Sequence, residues 1–388
     1  MKTVVIVGAS HAAPDAISTL RRSGWQGKIV LIGDEDGLPY QRPPLSKAYY
    51  SGDVSKDKLL IRNQAFYEKS EVELKLGLRV ESIDRELKSV TLDNAETVFY
   101  DKLILATGTR ARHLNIPGAD LPEVHYLRTM ADVDGIKSSL VKGAKLLIVG
   151  AGYIGLEVAA SAVKQGIDVT VLESMDRVLA RVTGSEISDF YQQLHARNGV
   201  SIKLNSVLTE FVNDNGGCHA LMANGEKISF DHAIIGIGVV PNSEIAEQAG
   251  LECDNGICVD EFTRTSDPDI YAVGDVSNHP NVIYNQRIRL ESVPNASGQA
   301  KVAASHICNK EIKYDQLPWF WSDQYDVKLQ TAGLFQGYDQ TLLQGDIEQN
   351  KFSVTYLKQG NVIAIDAINS PGDFMRAKKK IIEDLTTS

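Results

Sequence analysis

The sequence predicts an α/β fold in which one βαβ architecture occurs twice in tandem. Three observations predict it. A strand, a glycine-rich turn, a helix and a second strand follow one another at 145–173, and residues 4–35 repeat that plan. Each unit is followed by an Asp-led apolar strand that ends in glycine, at 101–108 and 231–238. Such internal repetition indicates duplicated parallel sheets. The length of 388 residues fits two or three domains.

The segment 145–173 contains every part of a dinucleotide-binding unit. A short apolar run predicts a buried strand, and three glycines follow it in G-x-G-x-x-G spacing, at Gly150, Gly152 and Gly155. The first glycine makes the tight turn, the second lets backbone approach a pyrophosphate, and the third lets the helix pack closely. Glu173 closes the second strand, where a carboxylate accepts hydrogen bonds from a ribose diol. The alternative is an ordinary Gly-rich turn.

The segment 4–35 carries an altered form of the same motif. Ser10 replaces the middle glycine and Ala13 the last one. Alanine is an accepted variant there, and a serine hydroxyl is small and can bond phosphate, so we expect nucleotide binding here too. His11 is expected at a helix N-terminus near phosphate and not as a catalytic base. Two dinucleotides in one chain indicate a flavin and a nicotinamide cofactor, since two identical cofactors offer no obvious chemistry.

Composition and charge exclude several classes of function. The formal net charge of −10 argues against general nucleic-acid binding. No apolar run approaches membrane-spanning length, and a strand pattern in place of a signal peptide leads us to expect a cytoplasmic protein without membrane partners. No metal site is expected. Cys253 and Cys258 have C-x₄-C spacing, but the Asn-Gly turn between them predicts a hairpin, so a redox disulfide is the weaker reading.

Several further motifs resemble a known family. They are Pro39-Tyr-Gln-Arg-Pro-Pro-Leu-Ser-Lys47, Ala106-Thr-Gly-Thr-Arg110, the segment 150–157, Tyr271-Ala-Val-Gly-Asp275, Glu291-Ser-Val-Pro-Asn-Ala296 and Trp319-Phe-Trp-Ser-Asp-Gln324. Their order and spacing resemble the FAD-dependent ferredoxin reductase branch of the pyridine nucleotide-disulfide oxidoreductases (putidaredoxin reductase, rubredoxin reductase and aromatic-ring dioxygenase ferredoxin reductase type). The resemblance covers essentially the whole chain.

This resemblance implies a glutathione reductase-like fold of two tandem Rossmann-like domains plus a C-terminal α+β domain. It implies an FAD-binding domain split into 1–110 and 241–315, with an NAD-binding domain inserted at 111–240. The C-terminal domain, 316–388, is expected to cover the flavin.

The resemblance also implies two sets of cofactor contacts. Those to FAD are expected at Gly8, Ser10, His11, Ala12, Ala13, Glu35, Arg42, Lys47, Val80, Ala106, Thr107, Gly108, Arg110, Asp275, Glu291, Ser292, Val293 and Trp321. Those to NAD are expected at Gly150, Gly152, Tyr153, Ile154, Gly155, Glu157, Glu173, Arg181, Gly236, Ile237 and Gly238.

Three residues are implied to act in catalysis: Lys47, Glu157 and Trp321. By this resemblance Lys47 lies near flavin N5, where a cation stabilises reduced flavin, and Glu157 is its partner. The alternative is a surface lysine and a helix N-terminal glutamate. Trp321 is implied to lie close to the isoalloxazine, whereas a plain core aromatic is the alternative. Arg42 and Arg110 are expected to neutralise pyrophosphate, and Asp275 to bond the ribityl chain.

The implied activity is transfer of electrons from NADH through FAD to a small acidic [2Fe–2S] ferredoxin, or to a rubredoxin, that supplies an oxygenase. Glu173 favours NADH because a carboxylate repels a 2′-phosphate, although Arg177 and Arg181 are nearby. The segment 42–47 has no cysteine where disulfide reductases carry their redox pair, so electrons are expected to leave the flavin directly. The alternatives are an NADH oxidase-type flavoenzyme and a flavoprotein with a signalling or scaffold role.

An acidic partner would need a local basic surface on this acidic chain. Candidates are Arg287, Arg289, Arg376 and Lys378 to Lys380. The alternative for the lysine run is the solvated face of the last helix. If the lysines dock the partner, charge reversal at Lys378 and Lys379 weakens ferredoxin reduction and leaves NADH–ferricyanide activity intact. Equal loss of both activities would contradict docking there.

Overall fold

The computed structural model describes residues 1–137, 139–214 and 216–386. The chain forms two compact units, each composed of three separate segments. The first unit comprises Met1–Gln41, Leu59–Arg110 and Val240–Phe320. The second comprises Arg42–Lys58, Ala111–Val239 and Trp321–Ser388.

A five-stranded parallel sheet forms the centre of the first unit. In spatial order its strands are Ile270–Ala272, Lys102–Leu105, Thr3–Val7, Lys28–Gly33 and Val72–Leu76. Both faces are buried, because alternate residues of the central strand join two different apolar cores. Helices Ala12–Arg22 and Val293–Ile307 contribute the alanine-rich core on one face.

Smaller elements cover the other face of this sheet. They are an antiparallel sheet of Val80–Asp84, Ser89–Leu92 and Thr97–Phe99, and the helix Glu244–Gln248. The first unit also contains the helix Gln64–Lys69, the 3₁₀ turn Gly274–Val276 and a sheet of Ile257–Cys258, Ser277–Asn281 and Gln286–Arg289.

The second unit has a parallel sheet of the same kind. In spatial order its strands are Ser201–Lys203, Asp168–Leu172, Lys145–Val149, His232–Ile235 and Val124–Tyr126. Its helices are Met130–Lys137, Tyr153–Lys164 and Ser185–Arg197. An antiparallel sheet of Leu208–Asp214, Gly217–Met222 and Lys227–Phe230 packs against it.

The predicted duplication is confirmed by this topology. In each unit the central strand has the second βαβ strand on one side and the Asp-led strand on the other. The two aspartates make equivalent contacts. Asp101 accepts the backbone N–H of Thr3 at 2.6 Å, and Asp231 accepts that of Lys145 at 2.7 Å. Each carboxylate therefore fixes the start of a central strand.

The C-terminal part is a sheet with one long helix, in agreement with the predicted α+β class. Its strands, in spatial order, are Trp319–Gln324, Val327–Gly333, Asn361–Ile368, Lys351–Lys358 and Gln340–Asp346. The helix Pro371–Thr386 packs on this sheet. The remaining elements are the 3₁₀ turn Pro43–Ser46, the helix Lys56–Leu59, and two paired short strands, Thr109–Ala111 and Val239–Pro241.

Candidate functional site

The glycines at 150–155 have the three different environments that the motif requires. Gly150 has a φ of +105°, and a Cβ there would lie 2.5 Å from the carbonyl oxygen of Gly236. A Cβ at Gly155 would lie 2.1 Å from the carbonyl oxygen of Gly150. A Cβ at Gly152, by contrast, would meet no atom within 4 Å. Two glycines thus allow close packing, and the third faces open space at the start of helix Tyr153–Lys164, where a pyrophosphate fits.

Glu173 supports this glycine turn through its carboxylate. Its two oxygens accept the backbone N–H of Ala151 at 2.8 Å and that of Met175 at 2.9 Å. The carboxylate therefore lies at the end of the second strand, as predicted, and is also hydrogen-bonded to the glycine turn.

The two arginines after Glu173 have different environments. Arg177 donates to the carbonyl oxygens of Thr183 and Ala180 and to the hydroxyl of Ser188. The Arg177 side chain therefore ties the loop after Glu173 to the start of helix Ser185–Arg197. Arg181 lies close to residues 236–238, which were also expected to contact NAD. A Cβ built on Gly238 would lie 3.9 Å from the Arg181 guanidinium.

Two residues inside the motif face opposite environments. The side chain of Ile154 is exposed. The hydroxyl of Tyr153 is buried, although the residue as a whole is half-buried.

The first unit repeats the turn with different side chains. Gly8 has a φ of +112°, and a Cβ there would lie 2.1 Å from the carbonyl oxygen of Ala106. His11 is the N-cap of helix Ala12–Arg22, in agreement with its predicted place at a helix N-terminus, and Ala13 is fully buried. Glu35 follows the second strand and accepts the hydroxyl of Tyr40 at 2.6 Å.

The segment after Ala106 is tied to the start of the third chain segment of the first unit. Thr107 and Asn242 exchange two hydrogen bonds of 2.8 Å, and Gly108 follows with a φ of +63°. Arg110, expected to neutralise pyrophosphate, donates to Asn242 at 2.8 Å and pairs with Glu244 at 2.6 Å. Its guanidinium is therefore already neutralised by a neighbouring carboxylate.

The predicted ribityl and ring-edge residues lie around one helix start. Ser292 caps helix Val293–Ile307, and Glu291 pairs with Arg289 at 2.8 Å. Asp275 lies in the 3₁₀ turn Gly274–Val276, and its carboxylate accepts the hydroxyl of Thr109 at 3.4 Å. Val80 is buried at the start of its strand.

Sequence reasoning missed Gln299, which supports this turn. The side chain is fully buried, and its oxygen accepts the N–H of Gly274 at 2.7 Å and the hydroxyl of Ser277 at 2.6 Å. The available signal was a polar residue on the alanine-rich, core-facing side of a helix.

Lys47 and Glu157 form the ion pair that the resemblance implied. Lys47 Nζ lies 2.6 Å from Glu157 Oε2, and the side chains are only 20% and 7% exposed. Arg42, which belongs to the same predicted motif as Lys47, donates to the carbonyl oxygen of Arg128 at 2.8 Å. Because both side chains of the ion pair are largely buried, Lys47 is not a surface lysine. Glu157 is likewise a buried residue of helix Tyr153–Lys164 and not an exposed residue at its start.

Two serines complete the surroundings of this carboxylate and were not predicted. Ser46 donates to Glu157 Oε2 at 2.6 Å, and Ser322 donates to Oε1 at 2.7 Å. A buried charge needs such donors in addition to its counter-ion. Trp321, the third predicted catalytic residue, is half-buried and adjoins Ser322 in the strand Trp319–Gln324.

Hydrogen bonds continue from Ser322 into helix Ser185–Arg197. Gln324 donates to Ser322 at 3.3 Å, and its oxygen lies 2.8 Å from His195 Nε2. Burial lowers the pKa of His195 to about 4. The neutral imidazole then donates through Nε2 to Gln324 and accepts the hydroxyl of Tyr325 at Nδ1, at 3.0 Å.

The basic residues considered for docking already have partners. Arg287 donates to the carbonyl oxygens of Val259 and Asn278. On the last helix Arg376 pairs with Asp373, Lys379 with Glu383 and Lys380 with Asp384, while Lys378 lies over the ring of Phe374. This spacing is typical of a solvated helix face, which favours that alternative.

The cysteines show no sign of redox activation. All four are free thiols, and burial raises the pKa of Cys253 to about 11. The predicted Asn-Gly turn is confirmed. Asn255 and Gly256 have φ of +47° and +121°, and the backbones of Cys253 and Ile257 pair in an antiparallel β-bridge. In the part of the chain that the structure describes, His, Cys, Asp and Glu form no group of three able to hold a metal ion. None of the helices formed by residues 1–137, 139–214 and 216–386 combines the length and apolar character needed to cross a bilayer.

Comparisons with known proteins agree with this geometry. Residues 2–300 match the model of the pyridine nucleotide-disulphide oxidoreductases, and residues 319–387 match a reductase C-terminal domain. The chain is 41% identical to rhodocoxin reductase of Rhodococcus erythropolis, over 99% of this chain and 90% of that protein. It is 40% identical to putidaredoxin reductase of Pseudomonas putida, over 98% and 92%.

A solved structure matches equally well. The crystal structure of the covalent putidaredoxin reductase–putidaredoxin complex superposes with a TM-score of 0.95 at 39% identity, covering 99% of this chain and 93% of that one. With a family model over residues 2–300 and relatives near 40% identity over nearly their whole length, the chain belongs to the pyridine nucleotide-disulphide oxidoreductases.

Proposed function

We propose that this protein is an NADH-dependent, FAD-containing reductase that passes electrons to a small [2Fe–2S] ferredoxin supplying an oxygenase. The observation that carries the proposal is two dinucleotide motifs in a chain with no cysteine before Cys218. A disulfide reductase would need a thiol pair near the first motif. The relatives named for rhodocoxin and putidaredoxin support an iron–sulfur acceptor.

Both glycine turns are proposed to hold a dinucleotide, and the open space at Gly152 supports this for the second turn. Residues Gly8 to Ala13 and Glu35 would hold FAD, and Gly150 to Gly155 with Glu173 would hold NADH. Bound FAD supplies the conversion of a two-electron donor into single electrons for the acceptor. The chain's own residues would bind the phosphates through backbone N–H groups at the helix starts and would accept ribose hydroxyls on carboxylates.

Lys47 is proposed to act as a cation toward the flavin. Support comes from its ion pair with Glu157, whose carboxylate lies 2.6 Å from the largely buried Lys47 Nζ. Ser46 and Ser322 in turn hold the carboxylate that orients it. Trp321 is proposed to lie close to the isoalloxazine, and Arg42 and Asp275 are proposed to contact FAD.

The preference for NADH over NADPH is proposed from Glu173 and Arg177. Glu173 presents a carboxylate at the proposed ribose position, and Arg177 already donates to two carbonyl oxygens of its own loop and to the Ser188 hydroxyl of the next helix. This leaves Arg181 as the nearby guanidinium for a 2′-phosphate.

Replacement of Glu173 by Ala is therefore expected to raise NADPH use relative to NADH, measured as the ratio of kcat/KM for the two cofactors.

We further propose the division into an FAD-binding domain, 1–110 and 241–315, an NAD-binding domain, 111–240, and a C-terminal domain, 316–388. The match of residues 319–387 to a separate C-terminal model supports the last boundary. A cytoplasmic location is proposed because the four cysteines are free thiols.

The deciding experiment is anaerobic reduction by NADH, followed at the flavin absorption band. We expect bleaching by NADH, and return of the band when a [2Fe–2S] ferredoxin is added. Rubredoxin and oxygen, added in parallel, test the alternative acceptors. Absence of bleaching would contradict the proposed function, and faster reoxidation by oxygen than by either protein would favour an oxidase.

A further inference from the structure

The second unit contains a buried carboxylate for which electron transfer gives no role. Asp366 lies in the strand Asn361–Ile368 and is only 1% exposed. Its partners are three hydroxyl groups. Thr331 donates to Oδ1 at 2.6 Å, Tyr356 donates to Oδ2 at 2.7 Å, and Thr183 also donates to Oδ2. A carboxylate so deeply buried requires this many donors.

One set of contacts leads to the Arg181 loop, which connects the strand Asp168–Leu172 to the helix Ser185–Arg197. Thr183 and Gly184 end this loop and lead into helix Ser185–Arg197. The hydroxyl of Tyr356 donates to Asp366 and accepts the N–H of Gly184 at 2.9 Å. A Cβ at Gly184 would lie 2.7 Å from the Tyr356 ring, so the two residues are in close contact. The carboxylate therefore fixes the end of the Arg181 loop.

A second set of contacts leads to the glycine motif. Tyr153 is the first residue of the helix that follows Gly152. Burial raises the pKa of its hydroxyl well above the usual value, and the nearby Asp366 carboxylate and Thr331 hydroxyl also act on that pKa. Thr331, which donates to Asp366, thus lies beside the first turn of the phosphate-binding helix.

We propose that Asp366 is a positioning residue for NADH, which holds the Arg181 loop and the start of the glycine-motif helix in their binding arrangement through Thr183, Tyr356 and Thr331. The inference rests on the proposed use of NADH at this motif. It makes a strand of the C-terminal sheet part of the support of the NADH site.

Equilibrium binding of NAD⁺ to the oxidised holoprotein, measured by calorimetry, tests the proposal. Tyr356→Phe, Thr331→Val and Asp366→Asn each remove a link, and we expect the dissociation constant to rise about tenfold, as for loss of one supporting buried hydrogen bond. Thr331→Ser keeps the hydroxyl and should restore wild-type binding. Tyr191→Phe is the matched control, since that buried tyrosine hydroxyl makes no hydrogen bond to any residue that the structure describes.

Limited trypsin digestion gives a readout on the chain itself. Trypsin cuts after arginine, so a released loop is expected to be cleaved at Arg181 several times faster in Tyr356→Phe than in the wild type or Tyr191→Phe. A variant that is unfolded as a whole would instead be cut at many sites at once.

Unchanged binding together with unchanged cleavage at Arg181 in folded Tyr356→Phe and Thr331→Val would overturn the proposal. Should Asp366→Asn fail to fold, those two conservative variants decide the question. Failure of the wild-type protein to bind either NAD⁺ or NADH would refute the proposed function instead, so the two failures are distinguishable.

Discussion

Glu157 illustrates how a single residue combines several requirements. It is buried in a helix of the second unit, and its two carboxylate oxygens accept hydrogen bonds from the Lys47 ammonium and from the Ser46 and Ser322 hydroxyls. Removal of any one donor leaves a charge buried with less compensation. The ion pair with Lys47 therefore contributes to stability as well as to the proposed chemistry.

A double-mutant cycle measures this contribution. In Glu157→Gln and Lys47→Met, each single change leaves its partner without a charge of opposite sign. We expect a coupling energy of about 2 kcal/mol in the free energy of unfolding, measured by urea denaturation. The cycle of Lys379 with Glu383, an exposed pair on the last helix, is the control and should give below about 0.5 kcal/mol. Equal coupling in both cycles would contradict the assignment of a buried pair.

The glycine turn and the helix that follows it act as one element. Gly150 and Gly155 are required because backbone atoms approach too closely for any side chain, whereas Gly152 borders open space. The same spacing in the sequence thus serves two purposes, packing and ligand access.

Alanine substitutions should separate the two purposes. Gly155→Ala places a methyl group 2.1 Å from a carbonyl oxygen, so we expect a loss of thermal stability. Gly152→Ala has an allowed φ of −79° and open space, so the melting temperature should stay unchanged. The methyl group would instead occupy the space of the pyrophosphate and raise the dissociation constant for NADH about tenfold, since it displaces part of the phosphate contact. A stable Gly155→Ala variant, or a Gly152→Ala variant with unchanged NADH binding, would refute this division.

Elements with strong local patterns were predictable from the sequence. Both βαβ units, the Asp-led strands and the last helix follow from periodicity and glycine spacing, because those signals are local. The resemblance added the pairing of Lys47 with Glu157, which lie 110 positions apart.

The contacts that hold the site were not predictable in the same way. Ser46, Ser322 and Gln299 are ordinary polar residues in sequence, and their roles depend on which distant carboxylate or amide the fold brings to them. The ion pair of Arg110 with Glu244 was not predictable for the same reason, since Glu244 lies in a distant segment. Long-range partners of short polar side chains leave no periodic signal.

At the scale of the whole molecule, buried histidines oppose folding in acid. Burial lowers the pKa of His195 to about 4, and burial with nearby Arg287 lowers that of His279 to about 4. Burial lowers the pKa of His125 and His306 as well. These side chains are neutral in the folded chain and bind protons on unfolding, at an ordinary pKa of about 6.5.

The free energy of unfolding is therefore expected to fall as the pH is lowered from about 6.5 to about 4, and each of His195 and His279 contributes up to about 3 kcal/mol. Below about 4 both states bind the proton, so this contribution stops changing. Urea denaturation between pH 7.5 and 4 measures the slope. His195→Asn should reduce it, and an unchanged slope in that variant would contradict the proposed source.

The division of each unit into separated segments has a consequence for synthesis on the ribosome. The first unit lacks its last segment until residue 320 has emerged, and the second needs residues up to its final helix. Contacts such as Lys47–Glu157 and Thr183–Asp366 join positions more than 100 residues apart. Chains with such distant contacts fold slowly and expose apolar strands while they wait. Nascent chains of this protein are thus expected to bind chaperones until the helix Pro371–Thr386 has emerged, and to be degraded when translation stops before that point.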